Sequence, residues 1–282
     1  MTVNWAELTK RNARSVQTTI GWIYWEPRAV SRYEALGIPG SLGYIASRAA
    51  PLAGAGPEAV VAAFGSISPL GIALGLDAMA KGTTPLAVWH ARDEAISEAL
   101  PEHAPAIVEP LIRLGPLLWP IVDRLPNVGR TLFAATAAYP RPTDPLLSGW
   151  HAVNCLREWR GDTHWALVVA AGLTGVEASV VHNLWLGYEP DWLPRSRGTS
   201  DADLDAAEAA LDSRGLLGAA GRAVRQQLED DTDRLTTLPW ELLGEEESVR
   251  FHVDLEPPCE LLLARVDETA GPNYQPGSRL RD

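Results

Sequence analysis

Four side chains in this sequence could carry acid–base chemistry near neutral pH: Glu26, His151, Asp162 and His164. Glu26 follows the aromatic run 22–25 and precedes a proline. A carboxyl group in an aromatic pocket has its pKa raised by desolvation and can then donate or accept a proton. The alternative is a helix-end carboxylate exposed to water, and the sequence leaves both open.

Asp162 and His164 lie two residues apart, across the expected start of a helix; Asp162 ends the polar segment 160–162, which we expect to be a turn. One interpretation is a carboxylate–imidazole pair acting on a bound ligand. The other is that Asp162 caps the helix and His164 packs in its first turn. The neighbouring residues Arg157, Glu158 and Arg160 could form a buried ion network at a domain junction, which is usually a structural feature.

Tryptophan is unusually frequent, with 11 residues against 3 phenylalanines. Several indole rings around one cavity would suit a large, flat ligand, although each ring could equally belong to an ordinary core. The residues that we expect to bind a ligand are Trp22, Trp25, Phe64, Trp89, Trp150 and Arg157.

The sequence contains no recognisable cofactor or metal motif. Walker-type loops, dinucleotide-binding glycine patterns, His-Glu-x-x-His and Cys-x-x-Cys are all missing. The two cysteines, Cys155 and Cys259, are far apart and lack metal-ligand spacing. We therefore expect neither cofactor nor metal, and any reaction would be cofactor-free acid–base chemistry such as a cyclisation or rearrangement.

Composition favours a globular chain that avoids nucleic acid. Of 282 residues, 46% are hydrophobic and 21% charged, and the net charge is −12. Nucleic-acid binding needs a basic face, since phosphate neutralisation supplies much of the affinity. The N-terminus lacks a signal pattern, and we expect no apolar run to approach the roughly 18 residues of a membrane span. These features predict a cytoplasmic protein with no membrane partner.

Apolar spacing, prolines and capping residues predict a mainly α fold. We expect helices over 4–35, 57–64, 85–99, 127–138, 146–159, 163–172, 201–213 and 219–236. The proline-rich segment 139–145 divides two helical domains, an N-terminal ligand-binding domain (1–142) and a second domain (143–250). Residues 251–282 are expected to form an extended tail, with the last dozen disordered.

Three segments carry a resemblance to a known family: 156–164 (LREWRGDTH), 170–178 (AAGLTGVEA) and 213–217 (SRGLL). The sequence resembles two-domain, MarR-like winged-helix proteins found mainly in actinobacteria. The resemblance covers about residues 20–245, and it implies that the second domain is winged-helix-like. It also implies a ligand-responsive transcription regulator.

Two departures from that pattern argue against DNA binding. The segment in the recognition-helix position, 200–212, has five acidic residues and no lysine or arginine. Its apolar residues Leu204, Ala207 and Leu211 must face the core, so the carboxylates point where phosphates would lie. Segment 217–221 is also too short for a hairpin wing, so we expect a reduced wing.

Three functions remain open. The chain could bind, and even convert, an apolar natural-product-like small molecule on a repurposed scaffold. It could bind such a molecule only to sequester it, as a resistance protein does. It could also be a ligand-responsive regulator that contacts DNA through basic residues such as Arg195, Arg197, Arg222 and Arg225. The expected partner is an apolar small molecule and not nucleic acid, and homodimerisation is left open.

Overall fold

The computed structural model describes residues 3–279, and every regular element in that range is helical. The mainly α prediction is confirmed. The α-helices are α1 (Trp5–Gly21), α2 (Pro27–Ala35), α3 (Gly43–Ala49), α4 (Pro57–Phe64), α5 (Pro69–Gly82), α6 (Pro85–His103), α7 (Val108–Val122), α8 (Thr131–Ala137), α9 (Pro145–Ala170), α10 (Gly175–Leu186), α11 (Trp192–Ser196), α12 (Asp201–Ser213), α13 (Ala219–Leu235), α14 (Leu238–Leu243) and α15 (Glu245–Thr269). Short 3-10 segments include Trp22–Trp25, Ala50–Ala55 and Pro276–Ser278.

Local sequence sets where many helices begin. The helices α2, α4, α5, α6 and α9 start with proline, which lacks the N–H that has no partner in a first turn. Side chains of Thr84 and Asp144 accept hydrogen bonds from backbone N–H groups three residues later. At α10, Thr174 and Glu177 form a reciprocal capping box.

The largest hydrophobic core is formed mainly by α1, α6, α7, α15 and the first half of α9. It includes the fully buried rings of Trp22, Trp89, Trp150 and Trp159. The expected boundary at 142/143 falls just before α9, so segments on both sides of it share this core. A smaller cluster links α3, α4 and α5, and a third joins the end of α9 to α10, α12 and α13.

The helix α9 is continuous from residue 145 to 170, although the polar segment 160–162 predicts a break there. A glycine inside a helix costs only about 1 kcal/mol. Arg160 is held by ion pairs to Glu229 and Asp233 of α13, and Asp162 bonds to α8. Tertiary contacts therefore outweigh the local turn signal, and one helix runs through both the large and the third core.

The expected extended tail is wrong, because residues 251–269 belong to the helix α15. Pro257 and Pro258 lie inside the helix, and each removes a backbone hydrogen bond. An apolar stripe outweighs this loss: Phe251, Leu255 and Leu262 are fully buried in the large core, to which α1 also contributes. Beyond α15, residues 271–279 fold back on α1, where the Gln275 side chain donates to the Gly21 carbonyl oxygen over 2.9 Å. The expectation of disorder in the last dozen residues is thus wrong for 271–279, and residues 280–282 lie outside the described part.

The helices α10, α12 and α13 form a three-helix unit at the end of α9. Within residues 3–279 no β-strand is present, and α12 and α13 are joined by the turn at residues 214–218. This connection contains no hairpin wing.

Residues 105–122 are long and apolar enough, by length and composition alone, to cross a membrane, as are α9 and α10 if that bent pair is counted as one span. The expectation that no apolar run approaches this length is therefore wrong for 105–122. Leu111, Leu114 and Leu118 of this stretch are buried in the large core, where α7 packs on α9.

Gly115 of α7 and Gly149 of α9 allow the two helices to come into backbone contact. A Cβ added at Gly149 would lie 1.9 Å from the Leu111 carbonyl oxygen. We expect Gly149→Ala to lower the free energy of unfolding by about 1–3 kcal/mol, because the helices must move apart. Urea unfolding measures the change.

Gly54→Ala is the matched control, because a Cβ at that position meets nothing within 4 Å. Its effect should stay within about 0.5 kcal/mol of the wild type. Equal unfolding midpoints for the two variants would contradict the close helix crossing.

Candidate functional site: a cleft between the cores

A cleft of about 1210 Å³ lies where the large core meets the three-helix unit. Its lining comes from α1, α3, α4, α9, α10, α11, α13, α15, the 3-10 segment Trp22–Trp25 and the segment after α15. Pockets for drug-sized molecules usually enclose about 300–1,000 Å³, so the cleft can hold a large organic ligand.

Seven aromatic side chains line the cleft: Trp25, Tyr44, Phe64, Trp165, Trp185, Trp192 and Tyr274. The rings of Trp25 and Tyr44 are nearly parallel, with an interplanar angle of 10° and centroids 6.5 Å apart. Tyr274 bridges Trp25 and Trp192 at 4.4 and 5.1 Å. The ring centroids of Tyr44 and Phe64 lie 6.4 Å apart, so direct ring contacts join five of the seven. This aromatic wall favours flat apolar ligands.

A buried ion network ties α3 to α9 in the wall of the cleft. The guanidinium of Arg48 donates to both oxygens of Glu158, at 3.1 and 2.7 Å, and Arg157 also pairs with Glu158. Burial raises the pKa of Glu158, but the two guanidinium groups outweigh it and hold that pKa at about 2. Sequence grouped Arg157, Glu158 and Arg160 in one network. Arg157 and Glu158 do pair, with Arg48 as the partner that sequence did not reveal, whereas Arg160 belongs to the separate network with α13.

His164 lines the cleft but is held in a second network with α13. Its Nε2 lies 3.0 Å from Nη1 of Arg225, and its Nδ1 lies 3.0 Å from Oγ1 of Thr232. Burial, and then the charge of Arg225, lower the pKa of His164 to about 3. The ring is therefore neutral, accepts from Arg225 at Nε2 and donates to Thr232 at Nδ1. Its lone pair and its proton are both engaged.

Tyr44 combines a cleft position with a perturbed phenol. Its oxygen accepts a hydrogen bond from Nη1 of Arg48 over 2.9 Å. Burial raises the pKa of Tyr44, but Arg48 and Arg157 outweigh this and leave it below the ordinary value. Sequence gives no sign of this, because Tyr44 and Arg157 come from distant segments.

Arg197, which follows α11, also lines the cleft. Its Nη1 donates to Oγ of Ser179 over 2.8 Å, and its backbone carbonyl accepts from the Ser68 N–H. Burial lowers the pKa of Arg197 to about 10; Arg225 and Arg48 act in the same direction and Tyr44 against it. Sequence placed this residue only among the basic groups available to DNA.

The structure brings four of the expected site residues to the cleft: Trp25, Phe64, Arg157 and His164. Trp22, Trp89 and Trp150 are instead fully buried core residues. Their rings are therefore not among the surfaces that a ligand in the cleft would meet.

The remaining acid–base candidates lie elsewhere. Glu26 is buried, accepts from the Arg28 N–H at the start of α2 and pairs with Nε of Arg265 at 3.0 Å. His151 is buried in the large core with Nε2 3.1 Å from the Thr136 carbonyl oxygen; burial and then Arg92 lower its pKa to about 3. The four candidates are not assembled into one site.

Asp162 is a helix cap, but not of its own helix. Its Oδ2 accepts from the Phe133 N–H of α8 over 2.8 Å. The prediction that it caps the helix containing His164 is therefore wrong, because α9 has no start at that point. The two side chains are not paired, since residues two apart on a helix point in different directions.

The acidic face of α12 is as sequence predicts. Leu204, Ala207 and Leu211 are buried, while Asp201, Asp203, Asp205 and Asp212 are exposed. Among basic groups that could contact DNA nearby, Arg195 pairs with Asp201 and Arg225 is buried against Glu229. Arg222 is exposed and, in the part of the chain described, has no ion pair.

A family model described as a helix-turn-helix family matches residues 9–268, which is most of the chain. The chain belongs to this helix-turn-helix family. No curated protein and no solved structure matches it. In this helix-turn-helix protein, the side chains of residues 3–279 form no group of three His, Cys, Asp or Glu able to hold a metal ion.

The contribution of Asp162 to the free energy of unfolding should depend on pH. Burial raises the pKa of Asp162 to about 6, against roughly 4 in an unfolded chain. The folded state then binds the proton more tightly, so the contribution of Asp162 to stability falls as pH rises from about 4 to 6 and is constant above that window.

Asp162→Asn keeps an acceptor for α8 but does not titrate. Its free energy of unfolding, relative to wild type, should rise by roughly 1–3 kcal/mol between pH 4 and 7.

Denaturant unfolding at several pH values checks this difference. Asp212→Asn, on the exposed face of α12, is the control and should show a constant difference from wild type. Parallel stability curves for wild type and Asp162→Asn would contradict a raised pKa at the cap.

Proposed function

We propose that this helix-turn-helix protein binds a planar, largely apolar small molecule in the cleft and does not use α12 to bind DNA. The aromatic wall carries the proposal: seven rings line one space of about 1210 Å³. Aromatic surfaces in a concave site recognise flat molecules by stacking and area burial.

The position of the acid–base groups favours binding over conversion. Of the four candidates from sequence, only His164 faces the cleft, and both of its nitrogens are engaged by Arg225 and Thr232. A group held in this way has neither a free proton nor a free lone pair for a ligand. Sequestration or sensing of the ligand therefore agrees better with the geometry.

A transcription regulator is the second candidate, because family membership favours it. The charges of the three-helix unit oppose it. The outward face of α12 is acidic, Arg225 is buried and Arg197 points to the cleft, which leaves few cations for phosphates.

Ligand binding can be tested with N-phenyl-1-naphthylamine, a neutral aromatic probe whose fluorescence rises in apolar sites. Wild type should bind it with saturation at one site. Trp192→Ala should weaken binding by about threefold to tenfold, since a lost aromatic contact is worth about 0.5–1.5 kcal/mol. A fluorescence titration measures both.

Trp5→Ala is the matched control, because Trp5 is also half-buried but lies outside the cleft. It should leave probe affinity unchanged. Absence of saturable binding to wild type, or equal loss in both variants, would refute the proposal.

DNA binding is tested by gel shift on random duplex DNA and on the DNA flanking the gene, at about 50 mM salt, where electrostatic binding is strong. We expect no shift at micromolar protein. A tight, salt-sensitive shift that Arg222→Ala abolishes would establish the regulator instead.

A further inference from the structure

The charges around the cleft are opposite in sign to those of the whole protein. The chain has 24 Lys and Arg against 36 Asp and Glu. The cleft is lined by nine Lys and Arg and only seven Asp and Glu. A cleft that concentrates positive charge in an acidic protein attracts anions.

Arg197 differs from the other arginines of the cleft in its lack of a counter-ion among the described residues. Eight arginines line the cleft, and Arg197 is the one with no ion pair among residues 3–279. It is half-buried, and its neighbours Arg48 and Arg225 are also cationic. A desolvated cation without a counter-ion is costly, and a bound anion would remove that cost.

The geometry of Arg197 also suits an anion. Nη1 is used by Ser179, and the backbone is held by Ser68, so the side chain is anchored. The edge formed by Nε and Nη2 has no hydrogen-bond partner within the described residues. Two parallel N–H groups on a fixed guanidinium match the two oxygens of a carboxylate or sulfonate.

A further donor lies on the aromatic wall. The indole N–H of Trp25 is buried and lacks a partner in residues 3–279. Arg197, Tyr44 and Trp25 line the same cleft, and the rings of Tyr44 and Trp25 are stacked. An anion at Arg197 would thus lie beside the surface that takes a flat ring system.

We propose that the ligand of the cleft is an organic acid: a planar, apolar body against the aromatic wall, with one anionic group bound by Arg197. This inference rests on the proposed small-molecule function and names the chemical class of its ligand.

Two probes with nearly the same aromatic skeleton test it. 8-Anilinonaphthalene-1-sulfonate carries an anionic group that N-phenyl-1-naphthylamine lacks. Wild type should bind the sulfonate at least tenfold more tightly than the neutral probe, as expected for a charge-assisted hydrogen bond. Arg197→Met should lower the affinity for the sulfonate to that of the neutral probe and leave the neutral probe unchanged.

Arg195→Met is the matched control, since Arg195 is exposed, pairs with Asp201 and lies outside the cleft. It should affect neither probe. Arg197→Lys keeps the charge but lacks the fork, the two parallel N–H groups of the guanidinium. Its sulfonate affinity should be intermediate, and this variant keeps the test open if Arg197→Met fails to fold. Full sulfonate affinity in the lysine variant would overturn the role of the fork.

The outcomes separate this inference from the proposed function. Saturable binding of both probes with equal affinity, unchanged in Arg197→Met, overturns the organic acid and leaves the cleft as a neutral ligand site. Failure of both probes overturns both proposals. Inorganic phosphate is the third probe. If millimolar phosphate displaces the sulfonate, and raises the melting temperature of wild type but not of Arg197→Met, the site binds small inorganic anions. That result would overturn the organic acid.

Discussion

A buried carboxylate, Glu158, is the constraint on which the cleft depends. Removing a carboxylate and two guanidinium groups from water costs several kcal/mol for each ion, so Glu158 is tolerable only if both partners stay in place. Arg48 comes from α3 and Glu158 from α9, so their pairing holds these helices together across the wall of the cleft, and Arg157 adds a second cation from α9 itself. The same pairing positions Tyr44, one turn before Arg48, and lowers its pKa through the two positive charges. The ion network around Glu158 therefore sets the position of the cleft wall, its local charge and the environment of the Tyr44 phenol.

The long helix α9 connects this ion network to both the large core and the three-helix unit. Its first half is buried in the large core and its last turns carry the three-helix unit, so the cleft between them lies beside the middle of one rigid element. In a helix-turn-helix protein the basic residues near this unit would be expected on the surface. Here Arg160 and Arg225 turn inward to Glu229 and Asp233, and acidic residues occupy the outer face of α12. The cations of the unit therefore face inward, and its outer face is left acidic.

Much of the secondary structure could be predicted, since its causes are local. Proline at first turns, the Thr174–Glu177 box and the spacing of Leu204, Ala207 and Leu211 each act within a few residues. The predictions were wrong where a local signal competed with burial. Gly161 and Pro257–Pro258 are helix-weakening residues, yet α9 and α15 continue through them because their apolar faces and ion pairs are satisfied by other helices. Such compensation cannot be read from a short window of sequence.

The site shows the same division. Sequence alone determined the mainly helical fold and the acidic outer face of α12, because residue type and helical period decide these features. Residue type did not separate Trp22 and Trp150, which are buried in the core, from Trp25, which lines the cleft. Only the tertiary structure decided that Tyr44, Arg48 and Arg197 meet there, since they come from segments far apart in the chain. It also decided that Asp162 and His164, two residues apart, serve α8 and α13 separately. On a helix, adjacent positions point in different directions, so a functional pair is determined by which elements pack on each face rather than by nearness in sequence.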